Sequence, residues 1–267
     1  MKTIIVGTDF SPSSINASKY AALLASQMKC KLTIFNLFEA PLIHSNIGLY
    51  GLSFLSLKKS SEKKMQGFSD ELQSIFPKLK IEVFVTSGNF KTELENFTSK
   101  HQVAAAVMGL EAKNWISDAI YGSHGVNIAG KIETPVIIVP LKYKKHKFSE
   151  LLLAVDNQEK MQQTKLIGME CFLKSTKVKI KALHVRTLEE VFKSASSKLR
   201  INEKTLPIQE INANDLSSGI KKYCKKAPVD LVCVISRKHS IFYNLYAESN
   251  TNYVAFTSNI PVMAIHE

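Results

Sequence analysis

The same succession of apolar runs occurs twice in this chain, and that repeat limits the folds open to it more than any other feature. "TIIVGTD" closes on Asp9 and "ELLLAVD" closes on Asp156, 147 positions later. "KLTIFNLF" (31–38) matches "KIKALHVR" (179–186) at an offset of 148. Farther along, "VAAAVMG" (103–109) matches "VDLVCVIS" (229–236) at 127, which sets Gly109 over Ser236. "ETPVIIVP" matches "NIPVMAIH" at 126, with Pro135 over Pro261. The fall in offset means that the first half carries about 22 extra residues between its second and third strands, and the segment 41–64 is the natural place for them.

Each half reads as strands alternating with helices. The strands are continuous Val/Ile/Leu runs, the pattern of strands covered on both faces in a parallel sheet. Helices are expected over 13–29, with Ser13 as N-cap and Ala17, Ala21, Leu24 and Met28 on one face, and over 57–76, 91–101, 158–174, 187–200 and 214–226. The expected fold is α/β, with two tandem, open, five-stranded parallel sheets flanked by helices in a Rossmann-like arrangement. The expected domains are 1–143 and 148–267, divided within the charged stretch "LKYKKHKFSE" (141–150). The apolar last strands, "TPVIIVP" and "IPVMAI", are edges that invite pairing, and the two halves can satisfy each other within one chain.

Composition narrows the function classes. No run of 18 uncharged apolar residues exists, so no membrane span or membrane partner is expected, and the apolar start is too short for a signal peptide. The expected location is the cytoplasm, where Cys30, Cys171, Cys224 and Cys233 read as buried, reduced thiols. The seven histidines show no metal-ligand spacing, so no metal site is expected. The net charge of +12 comes from dispersed lysines without interleaved aromatics, a solvated surface rather than a specific nucleic-acid site.

In an open α/β sheet, ligands bind beyond the carboxyl ends of the strands, where the strand order switches. Asp9 ends strand one, Gly88 ends strand three and Gly109 ends strand four. Small residues there let the backbone approach a ligand. Gly122, Ser123 and His124 then open a helix whose first amides favour a phosphate. Each signal has a plainer reading beside it: a glycine after a strand also serves a simple turn, and Asp9, with Ser11 and Ser13 nearby, also suits a helix cap.

The spacing Gly109-x2-Ala112-x9-Gly122-Ser123, an upstream strand closing on Asp9, and the closing "TPVIIVP" together resemble the universal stress protein family. The resemblance covers nearly the whole chain. It implies a five-stranded, adenine nucleotide α-hydrolase-like fold, an intrachain pseudo-dimer in tandem members, and a homodimer. It also implies ATP or a related adenine nucleotide as ligand, with Mg²⁺ as a compatible companion. On this reading Asp9 and the segment near Thr86 and Gly88 contact the adenosine part, Gly109, Gly122 and Ser123 hold ribose and phosphates, and Ser11, Ala112 and His124 complete the nucleotide-binding set. The chain departs from the motif at Ala112, where the family carries glycine. Trp115 and Asp118 stand in the intervening loop, Trp115 either stacking on a ligand or packing, and Asp118 repelling phosphate. In the second half the spacing survives as Ser236-x2-His239-x9-Ser249-Asn250 without any glycine, which reads as a degenerate site.

Three functions stay open. One is an adenine-nucleotide-binding stress or signalling protein without robust catalysis. Another is a scaffold acting on an unidentified protein partner without nucleotide. The third is a slow ATPase, against which stand the lack of a P-loop lysine and of a paired nucleophile and base; no catalytic residue is assigned. The segment 41–64 admits a helix hairpin, a lid, a dimer contact or a core-covering helix.

Overall fold

The computed structural model describes residues 1–38, 47–110, 134–145, 147–155, 172, 178–186, 198–201, 204–236 and 260–266. The first half contains strands β1 (Thr3–Gly7), β2 (Lys31–Leu37), β3 (Ile81–Thr86), β4 (Val103–Leu110) and β5 (Val136–Pro140). The second contains β6 (Glu150–Val155), β7 (Lys179–Arg186), β8 (Lys198–Ile201), β9 (Lys204–Asn212), β10 (Leu231–Ser236) and β11 (Val262–His266). Four described helices accompany them: α1 (Pro12–Met28), α2 (Ile47–Ile75), α3 (Phe90–Lys100) and α4 (Leu216–Cys224).

All strands join one sheet in the order β3-β2-β1-β4-β5-β11-β10-β6-β7-β9-β8. Within each half the five principal strands run parallel. The halves meet through β5 and β11, which pair antiparallel: Val136 faces Ala264, Ile137 faces Met263 and Ile138 faces Val262. The sequence repeat sets Val136 over Val262 and Ile138 over Ala264. Exchanging the halves therefore turns the first of these pairs into the third. That reciprocity is the signature of a two-fold axis, here passing through the Ile137–Met263 pair. The expected pseudo-dimer is thus built on hydrogen bonds between the two last strands.

The unbroken apolar runs have a structural reason. Alternate residues of one strand enter two different cores, one on each side of the sheet. Ile4 and Val6 of β1 enter one and Ile5 the other; Ile137 and Val139 of β5 enter one, Val136 and Ile138 the other. Helices α1 and α2 cover the first face with Ala17, Leu24, Met65, Phe68 and Leu72. Helices α3 and α4 cover the second with Phe90, Leu94, Phe97, Ile220 and Tyr223. Each fully buried Leu, Ile or Phe on these faces contributes about 1.5–3 kcal/mol.

Several local expectations need correction. The cap of α1 is Ser11, not Ser13: the Ser11 side chain accepts from the Ser14 amide, and Pro12 takes the first helical position, where its missing N–H costs nothing. The expected helix over 187–200 cannot reach its stated end, because Lys198–Ile201 is a strand paired antiparallel with β9, Leu199 opposite Leu206. Leu199 and Ile201 are both buried, a period of two that a short segment hides from a helical reading. The second half accordingly has a sixth, antiparallel strand at its edge. Helix α2 begins ten residues before the expected 57 and runs unbroken for 29 residues, so much of the extra material of the first half is helix. Of the expected helix 158–174 only Phe172 is described, and it is helical.

The linker between the halves is held at both ends. Tyr143 packs edge-on against Tyr20 of α1 at 5.6 Å, and Asn16 donates to the carbonyls of Pro140 and Tyr143. Beyond it, the buried carboxylate of Asp230 accepts from Lys145 at 2.6 Å, from the Ser149 amide and hydroxyl, and from the Glu150 amide.

Candidate functional site

The strand order switches between β1 and β4: the chain proceeds from β1 outward to β2 and β3, then returns to place β4 on the other side of β1. A crevice at the carboxyl ends of β1 and β4 is where ligands of such sheets sit. Asp9 lies in the turn that leaves β1, and Gly109 lies near the end of β4.

The turn is short and densely bonded. The Thr8 amide donates to the Phe35 carbonyl at 2.9 Å, and Thr8 Oγ1 accepts from the Phe10 amide at 3.1 Å. The Thr8 and Ser14 hydroxyls share a hydrogen bond of 3.1 Å. Phe10 has φ 65°, left-handed and unusual for a bulky residue. Asp9 does not cap α1; its Oδ1 accepts from the Ser11 amide at 2.9 Å and closes the turn ahead of the true cap. Asp9 as a residue is exposed, with its carboxyl partly covered by the turn. Partial burial pushes its pKa up, but bonds from the Ser11 and Ser14 side chains and the Ser11 amide outweigh this and hold it below the ordinary aspartate value. At neutral pH Asp9 is therefore an ionised acceptor able to take the hydroxyls of a sugar or the N–H of a base.

Gly109 is explained by packing. A Cβ at this position would run into the backbone carbonyl of Ser13, so the bare Cα is what lets the start of α1 lie on β4. Asp9, Ser11 and Gly109 thus converge on one end of the sheet.

Thr86 and Gly88 stand two strands away, roughly 10 Å from β1 across β2. The Thr86 hydroxyl donates to Glu93 of α3 at 2.9 Å, and its carbonyl accepts from the Phe38 amide. Gly88 has φ 121°, a conformation that side chains resist, and leads into Asn89, the cap of α3. Both residues are therefore engaged in starting α3 and line the far side of the same sheet end. Ala112, Trp115, Asp118, Gly122, Ser123 and His124 lie outside the described residues, as do Asp156, His239, Ser249 and Asn250.

Residues that motif reading missed surround the turn. Asn36, buried on β2, donates from Nδ2 to the Thr8 carbonyl at 2.7 Å, and Ser61 of α2 donates to Asn36 Oδ1 at 2.6 Å. Lys64 of α2 holds its ammonium 3.8 Å from the Phe10 ring centroid. A polar Asn inside the apolar run "TIFNLF" was the available signal. Among the described residues no group of His, Cys, Asp and Glu could hold a metal ion, and no helix is long and apolar enough to cross a membrane.

Comparison with known proteins agrees with this architecture. The family model described as "Universal stress protein family" matches residues 1–140. A universal stress protein from Archaeoglobus fulgidus DSM 4304 has a similar structure, with a TM-score of 0.66 at 13% identity, over 99% of this chain and 96% of that one. A functionally unknown protein from Pseudomonas aeruginosa PAO1 is similar with a TM-score of 0.54 at 12% identity, over 100% of this chain and 92% of that one. At such identities the likeness concerns the fold. No curated protein matches the chain. With the family model covering more than half of the 267 residues, the chain belongs to the universal stress protein family.

Proposed function

We propose that the first half binds an adenine nucleotide across the carboxyl ends of β1 and β4, in a stress-response or signalling role without robust catalysis. The observation that carries this reading is Asp9: an exposed residue whose ionised carboxylate is fixed at the switch point of the strand order. In this reading Asp9, Ser11, Thr86 and Gly88 serve the adenosine end. Gly109, Ala112, Gly122, Ser123 and His124 serve ribose and phosphates, with Mg²⁺ accompanying the phosphates. In support of the adenosine end, Asp9 offers an acceptor beyond β1, and Gly88 follows β3 at the same end of the sheet.

The reading divides the chain into domains 1–143 and 148–267. In support, Tyr143 packs on Tyr20 of the first half, whereas Phe148 packs on Phe172 of the second. It keeps the protein cytoplasmic. A homodimer belongs to it through a surface other than β5, because β11 already occupies that edge. The second reading is contact with a protein partner in place of a nucleotide.

Mass spectrometry of the small molecules released from freshly purified protein tests the nucleotide reading. Adenine nucleotide is expected from the wild type and not from Asp9→Ala or Gly122→Glu. Equal recovery from all three would remove it.

A further inference from the structure

We propose that one face of α2, formed by Ser61, Lys64 and Phe68, is the positioning element of the Asp9 turn and sets the geometry in which Asp9 meets a ligand. The proposal rests on the nucleotide reading for the identity of that ligand. It goes beyond that reading by assigning a function to the helix that carries much of the first half's extra length.

The three residues are spaced three and four apart, so they lie on the same face of the helix. They act on the two neighbours of Asp9. On one side, Ser61 Oγ donates to Asn36 Oδ1 at 2.6 Å, and Asn36 Nδ2 donates to the carbonyl of Thr8 at 2.7 Å. A two-bond relay thus runs from α2 to the residue before Asp9. On the other side, the Phe10 ring lies under the Lys64 ammonium at 3.8 Å and meets Phe68 edge-on at 6.0 Å. Phe68 is itself buried in the core, so this second arm has a fixed base.

Phe10 needs such a grip. A bulky residue at φ 65° persists only where its surroundings over-determine it. The ring contacts from α2 do so, and the Phe10 amide is fixed to Thr8 Oγ1. Asp9 is carried, exposed, between two clamped residues, with its Oδ1 held on the Ser11 amide. Loosening the clamp would let the Asp9 carboxylate swing and would blunt its aim at a donor, since a displaced group loses much of the value of a directed hydrogen bond.

The experiment uses the full chain and ATP as probe. Amide hydrogen exchange is followed at Phe10 and Ser11, the ¹³C signal of the Asp9 carboxyl is followed by NMR, and ATP affinity is measured by calorimetry. In Ser61→Ala/Lys64→Met, exchange at both amides is expected to speed up and ATP affinity to weaken, each about tenfold. The Asp9 carboxyl signal should move as its donors loosen. Ser61→Thr/Lys64→Arg keeps the hydroxyl and the cation and should restore all three readouts, and Lys63→Ala should change none. Wild-type exchange in the double variant would overturn the proposal. So would faster exchange with unchanged ATP affinity, because the turn would then be held for the fold alone. A wild type that binds no ATP overturns the nucleotide reading and this proposal with it, whereas a wild type that binds ATP and a double variant of unchanged affinity overturn the proposal alone.

Discussion

Asn36 and His184 perform the same task in the two halves. Asn36 donates to the carbonyl of Thr8 at 2.7 Å, and His184 Nδ1 bonds to the carbonyl of Val155 at 2.9 Å. In the sequence repeat Asn36 falls over His184, and Thr8 falls over Val155. Each side chain reaches from the second strand of its half to the peptide just ahead of an aspartate, Asp9 or Asp156. A carbonyl acceptor requires the proton on Nδ1 of His184. The two halves keep the bond while using different chemistry to make it.

Asn36→Leu should therefore be costly. It removes the donor to a buried carbonyl and the acceptor for Ser61 together, and about 1–3 kcal/mol of stability should be lost. Asn36→His, which borrows the solution of the other half, should lose less. Urea unfolding of both variants at neutral pH measures the difference.

Two glycines separate a packing requirement from a conformational one. Gly109→Ala puts a methyl group against the backbone of Ser13 and should destabilise by about 1–3 kcal/mol, as overpacked sites do. Gly67→Ala, in the exposed middle of α2 with nothing within 4 Å of the new methyl, should stabilise by about 0.5–1 kcal/mol. Opposite shifts of melting temperature are expected, and equal shifts would contradict the described contact between α1 and β4.

Asp9 should leave a mark on acid stability. Its folded pKa lies below the unfolded value of about 3.9, so the ionised form contributes stability above that value. The contribution disappears as pH falls through the lower, folded value. Asp9→Asn keeps an acceptor for the Ser11 amide but does not titrate. The difference in unfolding free energy between wild type and Asp9→Asn should thus be constant from pH 5 to 7 and should change only below about pH 4.

Tyr20 and Tyr143 pack against one another with both hydroxyls buried and without a hydrogen-bond partner among the described residues. Burial, with Tyr143 and Asp230 adding to it, pushes the Tyr20 phenol well above its ordinary range. Removing one hydroxyl relieves a desolvated group. Tyr20→Phe should be neutral or more stable by about 1 kcal/mol in thermal unfolding; a clear loss would show that the hydroxyl has a partner.

The legible part of this fold was the part governed by repetition. The runs ending at Asp9 and Asp156 and the paired "PV" strands marked the halves, and burial of both sheet faces explains why those runs are unbroken. Local geometry was less legible. Ser11 and Ser13 are both good caps, and only the position of Pro12 and the bond to the Ser14 amide decide between them. Leu199 and Ile201 fit a helix as well as a strand until their pairing with β9 is known. Gly109 carries a second demand that spacing alone does not show, since its bare Cα also makes room for the start of α1. The Asn36 relay could not be found by spacing, because it links residues 8, 36 and 61 through space.

The antiparallel seam between β5 and β11 has a further consequence. Where two identical chains assemble, every substitution is written twice, and neither copy of a pocket can drift alone. Covalent fusion lifts that constraint: each half can change on its own while both go on supplying one strand of the seam. Ser236 stands where its counterpart has Gly109, a difference between the halves that a tethered pair is free to carry.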